Sequence, residues 1–194
     1  ISCTLASPQA TAWSNENNKR ADGTEWTAAH TLKNNVMALI SPEGKRELVI
    51  IGLPGDREVD VKRAEAAFSP NEIEQANEED FAKHPELIKG YIGPVKNGDA
   101  ILGLKGATKI RYLLDPRVVE GSAWITGANV SEKHTFGLVA GRDFTADGVV
   151  DIIAELQEMV NAYIKQANKT NELEELNENI FILLTNGKSV LSSH

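Results

Sequence analysis

The sequence predicts an α+β fold with a mixed sheet, on three observations. Five short apolar runs of strand character lie between residues 36 and 139. The helical stretches between them fall at irregular intervals, without the βαβ rhythm of a doubly wound sheet. The composition, 41% hydrophobic and 25% charged over 194 residues, is that of a globular chain able to bury one sizeable core or two small ones.

Residues 1–24 are polar and rich in Ser, Thr and Asn, with a weak helical pattern over 9–17. The run at 36–40 reads as a buried strand, Ser41-Pro42-Glu43-Gly44 as a turn and 47–53 as a second strand, which together predict a hairpin. Pro54-Gly55-Asp56 breaks that strand. A short helix is expected from near Asp56, with Val59, Lys62, Arg63, Ala66 and Ala67 on it. Ser69-Pro70-Asn71-Glu72 has the form of a capping box with proline at the first helical position, yet 73–76 also suits a strand; both readings stand at this point. Asn77-Glu78-Glu79-Asp80 is the better helix start, with Phe81, Leu87 and Ile88 as its apolar side, and 90–98 is a glycine-and-proline loop. Strands are expected at 110–114, 123–127 and 135–139.

The pattern changes after Asp147. Ile152, Leu156, Met159, Val160, Tyr163 and Ile164 recur at helical spacing, and a strand-like run at 180–184 precedes an Asn186-Gly187 turn signal. Residues 151–194 hold seven acids and three bases. The expected division is a functional domain over 24–150, an N-terminal extension over 1–23 and a largely helical appendage over 151–194.

Charge and motifs narrow the chemistry. With 20 Lys and Arg against 28 Asp and Glu, the net charge of −8 argues against a protein that coats nucleic acid, though not against a local basic site. The single Cys3 leaves no disulfide framework, cysteine zinc site or CxxC pair, and suits a reducing compartment. No run approaches a membrane span and no secretory leader is visible, so a cytoplasmic location is expected; Ile1 in place of Met suggests a piece of something longer. His30, His84, His134 and His194 show no ligand spacing, Leu104 interrupts the only P-loop-like stretch at 98–105, and no GxSxG elbow occurs. Neither a metal nor a cofactor is expected.

Four features remain. Lys33 stands at the entry to the first apolar strand, either as an exposed strand-end lysine or as an anchor for a phosphate. In Gly90-Tyr91-Ile92-Gly93-Pro94 two glycines let backbone N–H groups point at an anion, so the loop is a plain turn or a holder for a developing oxyanion. Asp115, before Pro116, either initiates a turn or binds an ammonium group. Gly127-Ala128-Asn129, followed by Lys133-His134-Thr135-Phe136-Gly137, either closes a hairpin or brings His134 to a small substrate.

Taken in order, these segments resemble a known family. Trp26-Thr27-Ala28-Ala29-His30-Thr31-Leu32-Lys33-Asn34, Gly52-Leu53-Pro54-Gly55-Asp56-Arg57-Glu58-Val59, the 90–94 loop, Leu114-Asp115-Pro116-Arg117, Gly127-Ala128-Asn129, the 133–137 segment and Gly141-Arg142-Asp143 are similar to the insertion (editing) domain of bacterial prolyl-tRNA synthetase, a YbaK-like aminoacyl-tRNA deacylase. The resemblance implies a barrel-like mixed sheet flanked by helices, and hydrolysis of alanine wrongly attached to proline tRNA. By matching positions, Lys33 contacts the terminal adenosine or its phosphate. Gly90, Gly93 and Pro94 surround the scissile carbonyl. Asp115 and His134 line a pocket that admits alanine and excludes proline, and Gly127, Ala128 and Asn129 complete the substrate-binding set. The implied partners are the acceptor end of tRNA and the remainder of a synthetase. Nothing after Asp151 resembles a synthetase catalytic domain, so no aminoacylation is expected. A free-standing deacylase for another amino acid, such as cysteine, and a non-catalytic binding module are the competing readings.

Overall fold

The computed structural model describes residues 2–3 and 19–153. Its strands are β1 (Ser2–Cys3), β2 (Thr31–Ile40), β3 (Arg46–Pro54), β4 (Glu72–Gln75), β5 (Val95–Lys96), β6 (Asp99–Ala100), β7 (Arg111–Leu114), β8 (Ala123–Gly127), β9 (His134–Val139) and β10 (Gly148–Val149). Two short helices, α1 (Val61–Phe68) and α2 (Glu78–Ala82), complete the element order together with a 3-10 turn at Ala28–His30. One mixed sheet runs β1-β9-β8-β2-β3-β7-β10, with β4 also on β2, while β5 and β6 form a separate ribbon. The α+β class is as expected. The readings at 9–17, 180–184 and 186–187, and the helical pattern beyond Ile153, lie outside the described residues.

Strand alternation explains the core. Val49, Ile51 and Leu53 face one side of β3 and pack with Met37, Leu39, Ala64 and Phe68, whereas Ile50 faces the other side with Leu32, Val36, Tyr112 and Leu114. Ile152 and Ile153, expected to open the appendage, are fully buried in the first of these layers. Ile153 bridges Val59, and the Ile152 carbonyl accepts from the Asp60 N–H at 2.7 Å.

Three local expectations change. Helix α1 starts later than Asp56, because Asp60 supplies the cap by accepting from the Arg63 N–H at 2.8 Å. Its buried face is Ala64 and Phe68, one turn apart, while Ala66 and Ala67 lie on the helix as expected and are exposed. The box at Ser69 forms no helix: 72–75 becomes β4, since the β2 edge at Met37–Ile40 offers it a ladder of four residues. The box at Asn77 does form, with Asn77 Oδ1 accepting from the Asp80 N–H at 3.0 Å and Asp80 Oδ2 from the Asn77 N–H at 2.9 Å. Helix α2 ends at Ala82, so Leu87 and Ile88 lie on the chain beyond it, where Pro85 disfavours helix at His84.

Asp80 also ties α2 to β3 through two hydrogen bonds from Arg46, at 3.0 and 2.5 Å. Bonding to Arg46 holds this buried carboxyl down at about 2, against an ordinary 3.8, with the Asn77 N–H helping and burial opposing. A depressed folded-state pKa means the pair stabilises fully above the ordinary value, and that contribution is lost as pH falls toward about 2. The expected contribution is ~2 kcal/mol. Acid unfolding followed by circular dichroism should therefore be less steep between pH 3.8 and about 2 in Asp80→Asn, which is also less stable than the parent at neutral pH. An unchanged acid limb would count against this assignment.

Candidate active site

The candidate site is a gap in the sheet. Strand β3 pairs with one edge of β2 along nearly its whole length. The other edge is shared: β8 takes Thr31 and Leu32, and β4 takes Met37–Ile40. Between them, residues 33–36 face no strand. A cleft of about 510 Å³ opens there, lined by 31–36 of β2, Gln75 and Ala76 after β4, Phe81, Lys89, Gly90, Ile92, Thr126, Gly127 and His134. That volume is in the range of sites for small organic ligands.

One wall is the 90–94 loop, laid backbone-on-backbone against the end of β8. A Cβ added at Gly93 would sit 1.7 Å from the Gly127 carbonyl oxygen, and one added at Gly127 would sit 2.1 Å from the Tyr91 carbonyl carbon. Only glycine at both positions permits this approach. Asn129 clamps the contact: its Oδ1 accepts from the Gly93 N–H at 3.0 Å, and its Nδ2 donates to the carbonyls of Gly93 at 2.7 Å and Val95 at 3.2 Å. Its own N–H donates to the Tyr91 carbonyl at 2.8 Å. Asn129 takes φ 52°, a left-handed conformation that asparagine tolerates better than most residues.

The floor is a buried polar chain. Tyr112 donates its hydroxyl proton to Asn34 Oδ1 at 2.7 Å, and Asn34 Nδ2 donates to the Ile92 carbonyl at 2.9 Å and to Thr126 Oγ1 at 3.0 Å. Thr126 in turn donates to the Leu32 carbonyl at 3.0 Å. Complete burial pushes the Tyr112 phenol above its ordinary range, so it stays a neutral donor. Gly52 leaves room for this bond, since a Cβ there would meet the Tyr112 hydroxyl at 2.7 Å. Sequence reasoning missed Asn34, Tyr112 and Thr126. The available signal was Asn34 itself, a polar residue on the same strand face as Leu32 and Val36.

The structure brings Lys33, Gly90, Gly127 and His134 together as lining residues. Lys33 lies inside β2, not at its entry, and its Nζ meets Glu58 Oε1 at 2.9 Å with both side chains partly in solvent. His134 opens β9 opposite Gly127, is 3% exposed, and packs its ring edge-on to Tyr91 with centroids 5.5 Å apart. Gly93, Pro94, Ala128 and Asn129 are buried behind the wall they build. Asp115 is not brought to the cleft. It is 1% exposed at the end of β7, two strands from the gap, where its carboxylate accepts from the Arg117 N–H at 2.9 Å and lies 3.4 Å from the Arg117 guanidinium. The turn reading of Asp115 is the one its geometry carries. Among the described residues, no three His, Cys, Asp or Glu side chains converge as a metal site.

The wall and floor set which backbone donors can meet a ligand. The Gly93 N–H is already bonded to Asn129, and Pro94 has none. Among the described residues, the N–H groups of Gly90 and Ile92 make no hydrogen bond.

Comparison with known proteins agrees with this architecture. Residues 20–144 match the family described as the aminoacyl-tRNA editing domain, and the chain belongs to that family. Within the family it is similar to a particular group. It is 60% identical over 137 residues to a proline–tRNA ligase of Clavibacter sepedonicus and 61% identical over 138 residues to that of Leifsonia xyli subsp. xyli. Each match covers 71% of this chain and 23% of the relative. The proline–tRNA ligase of Bifidobacterium adolescentis is 47% identical over 154 residues, 73% of this chain and 26% of that protein. The chain thus spans about a quarter of the length of these relatives, over the region of their insertion (editing) domain, which its motifs resemble.

Proposed function

We propose that this chain hydrolyses the ester bond of mischarged tRNA, with Ala-tRNA(Pro) as its substrate, as the editing domain of a prolyl-tRNA synthetase in the cytoplasm. Its partners in this reading are the acceptor end of the tRNA and the rest of that synthetase, and the chain itself charges no tRNA. The observation that carries the reading is the gap beside β2, where Lys33, the 90–94 loop and His134 line one cleft.

An aminoacyl ester is already activated, so its hydrolysis needs a positioned water and donors for the oxyanion more than a protein nucleophile. Those donors are the N–H groups of Gly90 and Ile92, since the N–H of Gly93 is occupied. A ribose hydroxyl beside the ester activates the water. His134, packed against Tyr91, limits the size of the amino acid, and a small pocket corrects an error that a larger synthetic site cannot avoid. Lys33 meets the phosphate or sugar of the terminal nucleotide by exchanging Glu58, a partner held at an exposed site where an ion pair is worth only about 0–1 kcal/mol.

The direct test offers Ala-tRNA(Pro), Pro-tRNA(Pro) and Cys-tRNA(Pro) to the chain and follows free amino acid. Selective release of alanine supports the proposal. Release of cysteine favours a deacylase of other preference, and binding without turnover favours a non-catalytic module. In the same assay Lys33→Ala should lower kcat/KM about 10- to 100-fold, the scale of a lost charged hydrogen bond, with the deficit shrinking as salt rises. Glu58→Gln should leave turnover intact and tighten binding at low salt up to about 5-fold. A Lys33→Ala deficit, relative to the parent, that stays the same as salt rises would remove the lysine from the phosphate. If His134→Ala admits larger amino acids at an unchanged rate, the sizing role stands; if it abolishes turnover of alanine, the histidine is the base.

A further inference from the structure

A second cleft, of about 440 Å³, lies beside the same short helix α2. It is walled by Lys45 and Arg46 at the start of β3, Lys83 and His84 after α2, and Lys109 and Arg111 at the entry to β7. Five Lys and Arg residues line it against two carboxylates, Glu47 and Asp80, in a chain of net charge −8. Both carboxylates already have cations. Arg46 is committed to Asp80, and Lys45 lies 3.9 Å from Glu47. Among the described residues, Lys83, Lys109 and Arg111 form no ion pair within 4.0 Å. The Arg111 Nε is buried and has no hydrogen-bond partner, an arrangement native structures seldom leave unanswered. Lys109 holds φ 54°, a conformation that lysine rarely adopts, in a turn fixed by Thr108 Oγ1 donating to the Ile101 carbonyl at 2.8 Å. Three cations with no ion-pair partner within 4.0 Å among the described residues, one with an unanswered donor, are built to receive an anion, although Lys83 also feels the charge of Asp80.

The geometry points to a phosphodiester of the RNA strand whose end occupies the first cleft, an assignment that rests on the function proposed above. The first cleft borders β2, and the second borders the start of β3, its antiparallel partner. Lys33 stands opposite Leu53, and Glu47 opposite Leu39, so six residues of strand, about 20 Å, separate the two levels. An A-form RNA strand rises about 3 Å per nucleotide, somewhat less than the roughly 3.4 Å of duplex DNA, which brings phosphates about six to seven nucleotides from the end to the second cleft. A local cluster of three cations thereby lets an acidic domain hold a tRNA along its stem as well as at its end.

The test uses the full chain, a fluorescent RNA hairpin with a single-stranded 3′ end, and an aminoacyl-adenosine too short to reach the second cleft. For the Lys83→Gln/Lys109→Gln double variant, hairpin affinity measured by anisotropy should fall about 10-fold at low salt. Its plot of log affinity against log salt should be shallower by about 2, while hydrolysis of aminoacyl-adenosine is unchanged. Arg111→Gln should flatten the plot by about 1 in the same way; if it fails to fold, the lysine pair alone decides. An unchanged slope overturns the proposal. An equal loss on aminoacyl-adenosine also overturns it, because the residues then act through the first cleft. Inorganic triphosphate separates the sources: if its binding depends on the lysine pair while hairpin binding does not, the cleft takes free polyphosphate and the RNA assignment falls. Failure of the wild-type chain to hydrolyse aminoacyl-adenosine counts against the deacylase reading alone, since the hairpin slope is read independently of turnover.

Discussion

Gly127→Ala should leave a folded protein whose deacylation of its proposed substrate is about 100-fold slower. The new Cβ would sit 2.1 Å from the Tyr91 carbonyl carbon and 2.2 Å from its oxygen. Both are backbone atoms, so no side chain can swing aside, and the 90–94 loop itself must retreat. Overpacking of this kind costs about 1–3 kcal/mol, which a domain with two packed layers survives. The rate suffers more, because a displacement of about 1 Å in a positioned donor can cost about 100-fold. Gly93→Ala, aimed at the Gly127 carbonyl from the other side, should behave alike. Gly98→Ala is the control: φ there is 92° and nothing lies within 4 Å of an added Cβ, so about 1 kcal/mol of stability is lost and the rate is kept. Single-turnover deacylation and thermal melts on the three variants check this. A Gly127→Ala protein of undiminished rate would show that the loop does not present the oxyanion donors.

What sequence disclosed about this fold follows the range of the forces involved. Hairpin β2–β3 was readable because its apolar runs and its turn are neighbours in the chain. The cap at Asn77 was readable for the same reason. At 69–76 two local signals competed, and the strand prevailed because β2 had an edge to fill, a fact that no window around Ser69 contains. Asp115 shows the converse. An aspartate before a proline satisfies a turn and an ammonium site equally well on paper, and only its burial two strands from the gap decides between them.

The site divides in the same way. Lys33, the 90–94 loop and His134 were legible as motifs whose order resembles a family. The devices that make them a site were not. Tyr112 and Asn34 are 78 positions apart, and Thr126 and Asn34 are 92 apart, so the floor of the cleft exists only after the sheet has formed. The cleft itself arises because β4 and β8 share one edge of β2 without meeting. Asn129 was expected to touch substrate, yet it is 1% exposed and its amide holds a loop 36 positions away. A residue can be characteristic of a site because it builds the wall.

That reading of Asn129 has a large and separable consequence. Asn129→Ala removes one acceptor and two donated bonds, stranding the buried N–H and carbonyl of Gly93. Each unsatisfied group costs about 1–3 kcal/mol, and alanine at φ 52° adds about 1 kcal/mol, so a loss of about 3–7 kcal/mol is expected in urea or thermal unfolding. Asn129→Gly accepts the backbone conformation but restores no hydrogen bond, and should recover only about 1 kcal/mol of that loss. Asn129→Asp keeps an acceptor for the Gly93 N–H while setting a carboxylate against the Gly93 carbonyl, which sits 2.7 Å from the present donor. Its stability should therefore rise as the pH is lowered and the carboxyl regains a proton to donate. All three should slow deacylation about as much as Gly127→Ala, because all three free the same loop. Were Asn129 a substrate contact instead, Asn129→Ala would raise KM at nearly unchanged stability, and Asn129→Gly would match it in every measurement.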